Sequence, residues 1–237
     1  MTGTFINMSA IAAGSMVGVF IGSKLPESIR ETVLQGLGLV TCLIGLQMAL
    51  QTKNVLVLLG ALLIGGLIGE LLKIEAGLDR LGEYLQSLLA RGRQKQFGEG
   101  FITASLVFCI GPLAILGSIQ DGLSGNYSLL TVKSMLDGFA SIAFSASLGW
   151  GVSLSALSVL LYQGSITLFA GMFDKVLTQP MIVEMSATGG LIIAGIGLKL
   201  LKLKDMRLAN FLPALAIAPL IMVLIPIVRG LISRFGL

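Results

Sequence analysis

The sequence predicts an all-α membrane protein, a polytopic bundle of about eight transmembrane helices. Composition, run length and charge placement predict it. Hydrophobic residues fill 55% of the 237 positions and charged residues only 12%, with a mean hydropathy of +0.95. The apolar residues come in continuous runs of about 20, the length that crosses the hydrocarbon core as a helix. They do not alternate with polar residues, which excludes a β-barrel. The 31 glycines suit close helix packing in lipid. We read residues 1–237 as a single integral membrane domain.

The runs place spans at Phe5–Gly22, Leu34–Leu50, Asn54–Lys73, Gly100–Ile119, Val132–Trp150, Val152–Phe173, Met181–Leu201 and Ala209–Leu231. Only Trp150-Gly151-Val152 divides the fifth from the sixth, and fusing them would leave seven. Charge supports eight. Lys24, Arg30, Lys73, Arg80, Arg91, Arg93, Lys95, Lys199, Lys202, Lys204 and Arg207 fall on one side, against Lys53, Lys133, Lys175, Arg229 and Arg234 on the other. The positive-inside rule puts the first set in the cytoplasm and both termini outside. The N-terminus lacks a basic stretch before its first apolar run, so an uncleaved first helix is expected.

Residues Ile74–Phe97 carry Ile74, Leu78, Leu81, Leu85, Leu88 and Leu89 at helical spacing. This is the pattern of an amphipathic helix on the cytoplasmic surface, its basic end Arg91–Lys95 facing anionic lipid. Two internal duplications compete. Ile110-Gly111-Pro112 and Ile217-Ala218-Pro219 suggest a parallel four-plus-four repeat. Gly38-Leu39 with Ile44-Gly45-Leu46 matches Gly190-Leu191 with Ile196-Gly197-Leu198, suggesting an inverted repeat of spans one to three on six to eight. Either arrangement favours a transporter.

Several chemistries are excluded. The chain has no histidine, which removes imidazole proton relays and His-based zinc or nucleophile chemistry. Cys42 and Cys109 lie near mid-span and read as unpaired packing residues. The net charge of +4 sits in orienting loops, so no nucleic-acid partner is expected. No ATPase motif is present, no cofactor is implied, and no metal is assigned.

The candidate site residues are polar groups held in apolar surroundings. Asp137 lies in the fifth span, four residues after Lys133, and Asp121 follows the fourth. Ionisable groups inside membrane spans commonly serve a solute or ion pathway. Their structural alternatives are an ion pair with Lys133 for Asp137 and an Asx-type turn for Asp121. Gln163 sits near the centre of the sixth span, and Glu184 at the outer start of the seventh. Gly111-Pro112 breaks the fourth span, because proline lacks a backbone donor. With Pro219 in the eighth span, it points to a cavity between two kinked helices. Four-residue glycine spacings, Gly14/Gly18/Gly22 and Ala61/Gly65/Gly69, offer packing faces within the chain or between copies.

The run Phe101-Ile-Thr-Ala-Ser-Leu-Val-Phe-Cys109-Ile-Gly-Pro112-Leu-Ala-Ile-Leu-Gly-Ser-Ile-Gln-Asp121-Gly, with Lys133-Ser-Met-Leu-Asp137-Gly-Phe, resembles a known family. It is the bacterial membrane family of unknown function that includes the YqgA and YdfK proteins. Tyr162-Gln-Gly-Ser, Ala187-Thr-Gly-Gly190 and Asn210-Phe-Leu-Pro213-Ala extend the likeness over nearly the whole chain. The resemblance implies a bacterial inner membrane and transfers no activity. The expected function is a small secondary transporter or permease for a small solute or ion, coupled through the carboxylates. A membrane scaffold or regulatory subunit is the alternative, and an intramembrane enzyme stands behind both. The expected partners are the lipid bilayer, the solute or ion, and a second copy of the chain.

Overall fold

A run of apolar residues long enough to span lipid has to satisfy its backbone internally, so each run folds as helix. The computed structural model describes residues 1–89 and 97–234. Its helices are α1 (Thr2–Gly22), α2 (Glu27–Ala49), α3 (Val55–Leu72), α4 (Ile74–Leu89), α5 (Phe97–Cys109), α6 (Pro112–Ser124), α7 (Ser128–Leu148), α8 (Ser155–Leu168), α9 (Ala170–Val176), α10 (Gln179–Leu200) and α11 (Ala214–Arg234). Short 3-10 turns at Trp150–Leu154 and Leu208–Phe211 lead into α8 and α11. Among the described residues, seven helices are long and apolar enough to cross a membrane, and α5 with α6, bent by 63°, would make an eighth crossing.

The fourth span is therefore two helices rather than one kinked helix. Gly111 is extended between them (φ 159°, ψ 152°) and Pro112 opens α6, where its missing N–H has no intrahelical partner to lose. The bent pair must still cross. Gly3 packs beside Tyr127 and Leu130, and Gly22 beside Ala146, so α1 and α7 run parallel. A re-entrant α5–α6 would reverse α7 and make that pair antiparallel.

Spans five and six are separate. Gly149, with φ 83°, adopts a conformation that favours glycine and ends α7. The sixth span stops at Leu168, short of the expected Phe173, and α9 follows as a separate short helix. The amphipathic segment forms a helix over Ile74–Leu89. Its basic end, Arg91–Lys95, lies outside the described residues.

Glycines set the helix pairs. A methyl group at Gly14, Gly18 or Gly22 would strike the carbonyl oxygens of Gly138, Ile142 or Ala146 on α7. Gly65 and Gly69 do the same for α3 against the backbone of Ala214 and Asn210. Of the two expected uses of these glycine faces, the structure shows packing within the chain, where the absence of side chains lets backbones approach closely.

The antiparallel α2–α10 pair has a further regularity. Gly45 touches the backbone of Ala194 and Gly190, while Gly197 touches the backbone of Cys42 and Gly38. Matching Gly38 to Gly190, Cys42 to Ala194 and Gly45 to Gly197 turns the first set of contacts into the second. Phe108, Phe144, Leu148, Ile192, Ile193 and Ile196 fill the core beside this pair.

Candidate functional site

The polar groups of α1, α6, α7 and α8 gather at the end of the bundle where α1 and α7 begin. Asp137 and Lys133 stand one turn apart on α7, and the Lys133 ammonium donates to Asp137 Oδ2. Both residues are buried, at 8% and 6% exposure. Asn7 of α1 bridges this pair to α8: its Nδ2 donates to Asp137 Oδ2 at 3.0 Å and to Gln163 Oε1 at 3.3 Å. Asn7 and Gln163 are fully buried. One end of each amide, namely Asn7 Oδ1 and Gln163 Nε2, has no hydrogen-bond partner among the described residues. Leaving such groups unpaired costs about 1–3 kcal/mol each. One turn nearer the helix ends, the hydroxyls of Thr4 and Thr167 lie 3.4 Å apart.

Asp121 joins the same end of the bundle by a different contact. It lies inside α6, not in an Asx turn, and is buried. Its Oδ2 accepts the Gly3 N–H at 3.0 Å and meets the Met1 ammonium at 3.0 Å. A carboxylate there satisfies an orphan donor at the start of α1 and faces the positive end of its dipole.

Glu184 stands apart from both aspartates. Its carboxylate accepts from the Thr52 hydroxyl (2.6 Å) and from the N–H groups of Lys53 (2.6 Å) and Asn54 (3.1 Å). It holds the α2–α3 turn to α10. Gly111 and Pro112 form the α5–α6 joint, and a methyl added at Gly111 would enter open space. The structure therefore brings Asp137 and Gln163 together, sets Asp121 on a neighbouring helix, and leaves Glu184 and the joint elsewhere. Asn7 is the linking residue that sequence reading passed over. Its signal was an amide inside an apolar run, the same signal that singled out Gln163.

The opposite end carries Lys199, Lys202, Lys204 and Arg207 in a mixed-charge layer. Glu75 of α4 accepts the Ala209 N–H at 2.7 Å and lies 3.7 Å from Lys199 Nζ. The Asn210 side chain accepts the Glu75 N–H at 2.8 Å and donates to Glu70 at 2.7 Å. These contacts dock α4 on its own chain. Burial pushes the Glu75 carboxyl above its usual range, against the opposing pull of the Ala209 N–H and Lys199. Two polar cavities of about 470 and 570 Å³ share Glu75, Asp79, Lys199 and Asp205. An apolar one of about 440 Å³ lies between α4, α5, α8 and the start of α11. Asp121, Asp137 and Gln163 line none of these three. Among the described residues, no group of three or more Asp, Glu or Cys could hold a metal ion.

A family model described as "Protein of unknown function (DUF554)" matches residues 2–223. The chain belongs to this family. Among its relatives is the "Uncharacterized membrane protein YdfK" of Bacillus subtilis (strain 168), 33% identical over 230 residues, covering 95% of this chain and 97% of that protein. The "Uncharacterized protein YqgA" of Escherichia coli (strain K12) is 33% identical over 220 residues, covering 91% and 94%. No solved structure matches. The DUF554 membership and the eight crossings make this a polytopic membrane protein of a family without an assigned activity.

Proposed function

We propose that the chain is a small secondary transporter or permease of the bacterial inner membrane, with Asn7, Lys133, Asp137 and Gln163 forming its solute or ion site. The observation that carries this reading is a buried ion pair cross-linked to two amides that each keep one unpaired atom. A half-satisfied network costs more than apolar packing, so the unpaired atoms favour a bound partner. An acceptor (Asn7 Oδ1) and a donor (Gln163 Nε2) left open suit a small guest that both donates and accepts, or an ion with its water.

The α2–α10 interface supports the same reading. Contacts that exchange under the match of Gly38 with Gly190 and Gly45 with Gly197 support an inverted repeat with its axis through this pair. Inverted repeats rock about such axes to open a site alternately to each side. In this scheme Asp121 and Glu184 fix helix ends around the moving parts, and Gly111-Pro112 is the joint. The basic face is cytoplasmic by the positive-inside rule, with the N-terminus outside.

Solid-supported membrane electrophysiology on proteoliposomes, challenged with proton, Na⁺, K⁺ and small-solute gradients, tests the proposal. Transport is expected from the wild type and its loss from Asp137→Asn. Responses equal to those of protein-free vesicles, or an Asp137→Asn response equal to wild type, would overturn it.

A further inference from the structure

The apolar cavity and one of the polar cavities are neighbours. Ile102 of α5 lines both, and on α4 the adjacent Leu78 and Asp79 divide between them, Leu78 in the apolar one and Asp79 in the polar one. The apolar cavity runs along α5 from Phe101 to Ile110, about 14 Å at 1.5 Å per residue. Its two serines face each other, Ser105 donating to Ser158 at 2.9 Å, so the slot presents little free polarity. Leu161 on its rim is exposed, which opens the slot on the lipid-facing side of α8. The polar cavity holds Lys199, Lys202 and Lys204 together with Glu75, Asp79, Glu99 and Asp205. Its charge is mixed, not basic.

An apolar slot next to a chamber of both signs fits a bilayer lipid better than a soluble solute. We infer that this is a binding site for one phospholipid whose headgroup carries both a phosphate and a primary amine. One acyl chain lies along α5 and α8, the phosphate meets Lys204, and the amine donates to Asp79 and Glu99, because Lys199 and Lys202 already pair with Glu75, Asp205 and Glu31. A purely anionic headgroup would bring its charge against four carboxylates. An apolar protein segment would leave the charged chamber unmatched. The slot's volume, about 440 Å³, falls within the range of small-molecule sites. The inference is independent of the transport reading, because its test reads binding alone.

Native mass spectrometry of the full chain, released from nanodiscs containing phosphatidylethanolamine or phosphatidylglycerol, tests it. The wild type is expected to retain one phosphatidylethanolamine per chain. Ser158→Trp and Leu161→Trp, which fill the slot, are expected to bind it about tenfold more weakly, a loss of about 1.4 kcal/mol. Leu161 is exposed, so Leu161→Trp decides the matter if Ser158→Trp does not fold. Lys204→Glu, which leaves the slot intact, is also expected to weaken retention. Equal retention by Leu161→Trp and wild type would overturn the site. Preference for phosphatidylglycerol would overturn the headgroup assignment, and a dimer mass in place of bound lipid would make the slot an interface between copies.

Discussion

Replacing Asp137 by asparagine leaves the Lys133 ammonium in a protein interior without its counter-charge. Lys133 is 6% exposed, and removing one partner of a buried pair typically costs about 3–5 kcal/mol. Lys133 lies five residues after Ser128 at the start of α7, about 8 Å along the axis. Its stem can carry the ammonium part of that way to the interface, which puts the loss near the lower end, about 3 kcal/mol. Removing both charges, as in Lys133→Met with Asp137→Leu, is expected to restore stability to within about 1 kcal/mol of the parent, because no ion is then left in the interior. Steric trapping or thermal unfolding in a fixed detergent measures both. The reasoning fails if Asp137→Asn is no less stable than the parent, or if the double variant is as unstable as the single one. The double variant is also expected to lose transport, which separates the pair's task from its contribution to folding.

Gly45→Ala and Gly197→Ala each force a methyl into facing backbone and should cost about 1–3 kcal/mol. Their costs should be nearly equal if the α2–α10 pair is symmetric, whereas Gly36→Ala, which meets open space, should be neutral or stabilising in the same melts. Glu184→Ala strands the Lys53 and Asn54 N–H groups and should lower stability by about 2–3 kcal/mol, read as faster hydrogen exchange in the α2–α3 turn. Glu75 has a raised carboxyl pKa, so its contribution is complete below the ordinary Glu range and is lost as pH rises through the raised value. Hydrogen exchange across Ile74–Leu89, corrected for intrinsic rates, should therefore increase with pH in the wild type and lose that dependence in Glu75→Gln.

The spans were legible because hydrocarbon thickness fixes run length. The division at Trp150-Gly151 could be read, and Gly149 ends the helix there by its own backbone angle. What could not be read was tertiary pairing. Asp137 was visible as an acid near Lys133, but nothing in the linear order links it to Asn7, 130 residues away. Glu184 could be read only as an acid at the start of its span. Its neighbours are the Thr52 hydroxyl and two N–H groups of a turn, and the N–H groups leave no mark in side-chain identity. The glycine faces announced close packing, yet their partners depended on the parallel course of α1 and α7, which only the crossing of α5–α6 determines.

The wide separation of Asn7 and Asp137 has a consequence for biogenesis. The first helix reaches the bilayer long before the residues that satisfy its amide have been synthesised, and at ribosomal speeds that interval is roughly 6–26 s. During it, Asn7 and the bare glycine ridge face lipid or an insertion factor. Nascent chains halted before residue 137 should therefore hold α1 beside the insertion machinery, to be released once the seventh helix arrives.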